Sequence, residues 1–407
     1  MDLLKKLIII LYATSLGLMT VNFIFVKTPK TYNIKSPVHG SFSVLAAVDQ
    51  QRENYIVYGF LPYWKLDNAK FIQTDKLTDI AYFGLKIEGN GEIRRFEEPG
   101  VLEPGYNNWK NNPELSNLIS RSKKAGVRFA LTIISHEDEV SDEFLNCTSC
   151  WQTLINEIGI ELEEKNITDV NLDFEYFGYT DLETALKYSA FAKQLNDTLD
   201  ARYNNNSKVI VSTFADSVVK PRVTHIDTLA KYTDGLFVMA YDFHRPASAT
   251  AGPIAPLGGM GDKSSYDVIT MLKAYLSTMS PDKIILGVPY YGYNWLIDEQ
   301  APYANRVEGN DYIGYSESQP YETIVYDIKE LNSLILWDNI GQTPYYYYRS
   351  PDSGALRVVH FENKDSLKMK YGLVKQYNLG GVGLWALGYD GQLPELWDLL
   401  GKEFGKK

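Results

Sequence analysis

Thr168-Asp169-Val170-Asn171-Leu172-Asp173-Phe174-Glu175 is the stretch on which the reading of this chain turns. Side chains alternate along an extended strand, so Asp169, Asn171, Asp173 and Glu175 share one face, and Val170, Leu172 and Phe174 share the other. An apolar face under covering helices with a polar face turned inward fits a strand of a closed parallel barrel. Burying so many acidic groups is costly unless they are paired or functional. The D-x-N-x-D spacing also begins a calcium-binding EF-hand loop. Its sixth and twelfth positions would be Phe174 and Thr180 rather than Gly and Glu, which excludes that loop. A purely structural polar layer is the plain alternative to a site.

Glu175 ends the strand, at the C-terminal face where barrel enzymes place their chemistry. It lies two residues beyond Asp173, about 6.6 Å in Cα spacing along a strand. A charged Asp173 disfavours ionisation of Glu175 and raises its pKa. A carboxyl group still protonated near neutrality is what a leaving group needs as a proton donor. The spacing therefore assigns an acid to Glu175 and a charged orienting group to Asp173.

Outward from this stretch, seven more runs read as strands: 55–61, 77–87, 127–134, 208–214, 235–241, 283–290 and 380–386. Most are nearly continuous apolar runs, as parallel strands buried on both faces require. Helices lie between them. Asn112-Pro113 opens one and Gly126 closes it. Thr180 and Glu183 are spaced as a capping box ahead of the stripe Leu182, Leu186, Ala190, Leu195 and Leu199. Two further helices are expected over 265–279 and 366–377. Eight strands alternating with helices predict an α/β chain folded as a (β/α)8 TIM barrel over 55–405. The Tyr-rich surplus at 296–357 predicts a small α+β insertion between the seventh and eighth strands.

The 407 residues carry 40 Lys+Arg against 51 Asp+Glu, a net charge of −11, which argues against a nucleic-acid partner. An apolar fraction of 45% excludes a disordered chain. Aromatics are the excess, with 30 Tyr and 7 Trp, and flat amphipathic rings suit sugar faces as well as cores. Lys5 and Lys6 precede an apolar run from Leu7 to Val26, long enough to span a bilayer core of roughly 30 Å. Residues 1–27 thus read as a signal-anchor or a signal peptide, followed by a linker over 28–54. The expected location is extracellular or at the cell surface, with membrane contact only through this segment. Cys147 and Cys150 form a single C-x-x-C, read as a local disulfide; a zinc site would need two more ligands. No metal or cofactor is expected.

The stripe resembles the D-x-x-D-x-D-x-E signature of glycoside hydrolase family 18, the chitinases and related endo-β-N-acetylglucosaminidases. Other segments agree in order. Tyr58-Gly59-Phe60 with Tyr63-Trp64 is similar to the family's first strand, and Ala81-Tyr82-Phe83 to its second. Met239-Ala240-Tyr241-Asp242 resembles the sixth strand's M-x-Y-D, Gly287 to Gly292 the seventh's G-x-P-x-Y-G, and Gly380 to Ala386 the eighth with its terminal Trp. The resemblance implies retaining hydrolysis of β-1,4 linkages next to N-acetylglucosamine, in chitin, chitooligosaccharide or peptidoglycan glycan strands. The substrate's own acetamido group would attack the anomeric carbon. Glu175 would be the proton donor, Asp173 the acceptor of the acetamido N–H, and Tyr241 the donor to its oxygen. Trp385 would be the sugar floor, Met239 and Asp242 further contacts, and Tyr58, Trp64 and Phe83 candidate aromatic contacts. Two positions depart from the signature, Thr168 and Asn171 standing for aspartates. Asn171 cannot carry a proton, but is expected to donate an N–H to Asp173. The third strand's usual S-x-G-G is also replaced, by Leu131-Thr132-Ile133-Ile134-Ser135-His136. A catalytically silent, amino-sugar-binding barrel is the alternative, although such relatives usually lose the terminal Glu.

Overall fold

The computed structural model describes residues 54–405 except 221, 260 and 262. The expected signal segment, and the linker up to residue 53, lie outside the described residues. Among the described residues no helix is long and apolar enough to cross a membrane.

The strands in chain order begin with β1 (Ile56–Pro62), β2 (Asp79–Lys86), β3 (Phe96–Glu98), β4 (Val101–Leu102) and β5 (Arg128–Ser135). Next come β6 (Asp169–Phe174), β7 (Val209–Phe214), β8 (Gly235–Met239) and β9 (Ile284–Pro289). The remainder are β10 (Tyr291–Leu296), β11 (Glu317–Pro320), β12 (Leu336–Asp338), β13 (Thr343–Arg349), β14 (Leu356–Phe361) and β15 (Gly381–Trp385). Eight of them close into a parallel barrel in the order β1-β15-β9-β8-β7-β6-β5-β2. These are the eight expected strands. Closure falls on β1, where Ile56 faces Gly381 of β15 and Tyr58 faces Asp79 of β2.

The alternation in β6 works as the sequence predicts. Val170, Leu172 and Phe174 are buried, with Phe174 stacked on Tyr188 of the helix Leu182–Tyr203. Inside the barrel, Tyr58, Phe60, Phe83, Ile210, Phe237 and Ile285 form the core. Gly383 in β15 is required by that core, since a Cβ there would lie 2.0 Å from Cε2 of Phe237. The stripe's first carboxylate is structural. Asp169 accepts from Arg128 Nε at 2.6 Å and from the Lys208 amide at 3.0 Å. A buried carboxylate that accepts charged and backbone donors meets the requirement that buried charge be paired.

Helix ends follow capping chemistry, with one change. Asn112 caps the helix Pro113–Lys124, its Oδ1 accepting from the Glu114 and Leu115 amides. The helix Leu182–Tyr203 is capped by Asp181, accepting from the Thr184 amide at 2.8 Å, and not by Thr180. A carboxylate one residue nearer takes the same orphan donors and carries a charge that suits the helix N-terminus. Cys147 and Cys150 are disulfide-bonded at the start of the helix Thr148–Lys165.

Between β9 and β15 the chain builds a five-stranded sheet in the order β11-β10-β14-β13-β12, with the helix Tyr321–Glu330. The sheet begins at Tyr291, five residues before the expected start at 296, and its last strand ends at Phe361, four beyond the expected end. Tyr291, Tyr293 and Trp295 fill a second core, so the segment after Pro289 extends as β10 instead of turning into a helix.

Behind β14, Lys370 Nζ donates to Glu362 Oε2 at 2.7 Å with both side chains at most 1% exposed. Removing one member of such a pair strands the other charge in a dry interior. Lys370→Met is therefore expected to lower unfolding free energy by about 3–5 kcal/mol, measured by urea denaturation. Replacing both residues with apolar ones should restore most of the loss.

Candidate active site

Two strand ends converge at the C-terminal mouth of the barrel. The end of β6 supplies Asp173 and, one residue beyond the strand, Glu175. The ladder continues to Glu175, whose amide donates to the Ser135 carbonyl at 2.9 Å. That bond fixes the main chain at Glu175. Beyond β8 come Tyr241 and Asp242, with Met239 as the last strand residue.

Asp242 adopts a left-handed backbone with φ of 62°, uncommon for a residue other than glycine. Its carboxylate accepts from the hydroxyls of Tyr291 and Tyr293, both on β10. The inserted sheet thus holds a barrel-mouth residue in place. Trp385, the last residue of β15, meets Phe83 edge-to-face at 4.7 Å and Phe60 at 5.6 Å.

A recess of about 120 Å³ is lined by Asp173, Glu175, Ser212, Tyr241, Asp242 and Trp385, among others. A larger cleft of about 540 Å³ runs from Glu175 past Phe214 and Met239 to Arg245 and Tyr266. Glu175, Met239, Tyr241 and Asp242 line both, so the acid stands where recess and cleft meet.

The expected rise of the Glu175 pKa is present. The Glu175 pKa is pushed up to about 7, first by burial and then by the Asp173 charge, against the opposing pull of His136 and Arg245. A group with that pKa is largely protonated at mildly acidic pH and loses its proton as pH rises through neutrality. The Tyr241 phenol is pushed well above its ordinary value by burial and by the charges of Asp173, Asp242 and Glu175, which keeps it a hydroxyl donor.

Several expected contacts lie elsewhere. Asn171 is fully buried and does not hold Asp173. Its Nδ2 donates to the Ile210 carbonyl at 3.2 Å and its Oδ1 accepts from Ser212. The reason is register: Asn171 sits one pleat deeper than Asp173, level with β7 backbone. Tyr58 is core, packed on Phe60 and Phe237. Phe83 is buried beneath Trp385 and supports it rather than lining either cavity. Trp64, by contrast, stays beside the recess: it is 48% exposed, its ring lies 6.5 Å from that of Trp385, and its Nε1 donates to the Tyr389 hydroxyl at 3.3 Å.

What the sequence missed is His136. It follows the last residue of β5, and its Nε2 lies 2.8 Å from Asp173 Oδ2 and 3.8 Å from Glu175 Oε1. The one signal was that His136 falls where the third strand departs from the family pattern. Nε2 and the two carboxylate oxygens lie within 4.8 Å of one another, near enough to converge on a cation. Nε2 and Asp173 Oδ2 are, however, already engaged with each other.

A parallel eightfold barrel whose fourth strand ends in an acid–carboxylate pair beside a Trp-lined recess has the groups that glycoside hydrolysis needs. The profile of "Glycosyl hydrolases family 18" matches residues 48–390, and the chain belongs to that family; it is a glycosidase. It is 26% identical over 302 residues to the cortical fragment-lytic enzyme of Bacillus subtilis (strain 168), covering 72% of this chain and 64% of that protein. To human di-N-acetylchitobiase it is 26% identical over 234 residues, 52% of this chain and 58% of the relative. The chain thus spans less than two thirds of the length of either. Among solved structures, the Group IV chitinase of Ostrinia furnacalis in complex with allosamidin superposes with a TM-score of 0.72 at 20% identity. That superposition covers 86% of this chain and 98% of the chitinase chain.

Asp173→Asn removes the neighbouring negative charge that helps keep Glu175 protonated. The Glu175 carboxyl, followed by carbon-13 NMR, should then titrate below 7 while remaining above an ordinary glutamate, because burial persists.

Proposed function

We propose that this glycosidase hydrolyses β-1,4 linkages next to N-acetylglucosamine in chitin, chitooligosaccharide or peptidoglycan glycan strands, with retention and with help from the substrate. The observation that carries the reading is the neutral acid Glu175 at the junction of recess and cleft, beside the buried Asp173. The sugar on the cleaved side would occupy the recess, its apolar face against Trp385 and its acetamido arm directed at Asp173 and Tyr241. Asp173 is 4% exposed in its side chain, and its Oδ2 is engaged by His136, which leaves it poorly placed to attack carbon. The nucleophile is then the acetamido carbonyl oxygen. It displaces the leaving sugar as Glu175 gives its proton to the glycosidic oxygen.

Asp173 accepts the acetamido N–H and balances the positive charge of the cyclic intermediate, while the Tyr241 hydroxyl fixes the acetamido oxygen. Holding the internal nucleophile in an attack geometry is an orientation effect that lowers a barrier by several kcal/mol. Glu175, now charged, takes a proton from water, which opens the ring intermediate from the face the leaving group vacated. Two inversions give net retention. The leaving sugars lie along the larger cleft, past Phe214, Arg245 and Tyr266. Export to an oxidising compartment is part of the proposal, supported by the Cys147–Cys150 bond and by the apolar run near the N-terminus.

Glu175→Gln keeps shape and loses the proton, so hydrolysis of chitooligosaccharide should fall about 10²–10⁴-fold. The first product of the parent, followed by proton NMR, should be the β-anomer. Parent-like turnover by this variant, or an α-anomer as first product, would sink the proposal. Mass spectrometry of digests of chitooligosaccharide, peptidoglycan and a high-mannose glycoprotein identifies the substrate among these.

A further inference from the structure

We propose that His136 is a positioning residue for the reaction, gripping Asp173 from the end of β5 in place of any donor from deeper in the barrel. This role rests on the substrate-assisted reading of the site. It begins from a vacancy in function. The residue directly below Asp173 on the same face is Asn171, and both ends of its amide are committed, to the Ile210 carbonyl and the Ser212 hydroxyl. Among the described residues, no side chain of that layer donates to Asp173. The neighbouring strand fills the role because β5 and β6 are parallel and in register, with Ile134 beside Asp173 and Ser135 beside Phe174. The residue after Ser135 therefore arrives level with the acid pair.

The geometry is that of a fixed donor. His136 Nε2 meets Oδ2 of Asp173 at 2.8 Å. With Oδ2 occupied, Oδ1 is the atom left to receive the acetamido N–H. The imidazole ring is itself packed on the Phe83 ring at 6.0 Å, and Phe83 in turn supports Trp385. One aromatic of the barrel wall thus sets both the carboxylate and the sugar floor.

Charge gives the arrangement a second consequence. The groups facing His136 are Asp173 and Glu175 from β6 and its continuation, and Lys86 from β2. Lys86 is tied to Glu97 and Glu103 at 3.3 and 3.2 Å, which blunts its repulsion. Burial pulls the imidazole pKa down, but the hydrogen bond and charge of Asp173, aided by Glu175, leave it raised. The imidazolium also draws the Glu175 pKa down, so it sets where the alkaline limb of activity falls.

The test uses the full chain with His136→Ala and His136→Gln, on chitooligosaccharide across pH 4–9. The His136 side chain is 37% exposed, and equal melting temperatures establish that both variants fold. Expected for His136→Ala is a kcat about 10- to 100-fold lower with KM within about threefold, the pattern of a lost orientation effect. Its alkaline limb should move to higher pH, because the cation beside Glu175 is gone. His136→Gln places an amide N–H near the same spot, so most of kcat should return while the limb stays displaced. A second readout needs no turnover: the imidazole of His136, followed by NMR, should titrate lower in Asp173→Asn than in the parent. Parent-like kcat and pH profile in His136→Ala, or an imidazole titration indifferent to Asp173→Asn, overturns the inference. Glu175→Gln run alongside separates the two failures. If it stays active, the catalytic reading itself is wrong; if it is dead while His136→Ala is unchanged, only the role of His136 falls.

Discussion

Two carboxyl groups forced onto one pleat at the mouth of the barrel are the constraint around which the site is organised. Asp173 and Glu175 cannot both ionise cheaply in a buried place, and burial together with the Asp173 charge pushes the Glu175 pKa to about 7. The same strand places a third carboxylate, Asp169, at the opposite end, where Arg128 pairs with it and the Lys208 amide donates to it. Identical chemistry along one stripe therefore divides by depth. The deep carboxylate is paired within the barrel wall, and the shallow pair lines the recess at the mouth.

The barrel wall and the inserted sheet share the work of holding that pair's surroundings. Phe83 and Phe60 wedge Trp385 from below, so the recess floor is a core residue's neighbour and not a loop side chain. Across the mouth, Asp242 is gripped by Tyr291 and Tyr293 from β10. Because those tyrosines also belong to the core of the inserted sheet, that sheet cannot shift without moving a lining residue of both cavities. The insertion is thus a buttress of the site. Its aromatic composition serves packing first, and the Tyr291 and Tyr293 hydroxyls turn toward Asp242.

Much of this was legible from local pattern. Continuous apolar runs located all eight barrel strands, since strands buried on both faces leave that signature irrespective of their partners. The alternation of 168–175 revealed the acid pair, and the order of the motifs, from Tyr58 to Trp385, the family. Two element boundaries were set by competition that local pattern did not resolve. Asp181 outcompeted Thr180 as a helix cap, and β10 captured Tyr291 through pairing with β11 and Gly292 through pairing with β11 and β14.

Strand periodicity, binary pattern and the spacing of Asp173 and Glu175 are properties of neighbouring residues, and so they were fixed before folding. Contacts across the barrel are not. His136 meets Asp173 across 37 residues, and Tyr291 meets Asp242 across 49. Whether Asn171 turned toward Asp173 or toward β7, and whether Tyr58 faced sugar or core, depended on the register in which strands closed. Register is set by the whole ring of hydrogen bonds and the packing inside it, which no single segment carries.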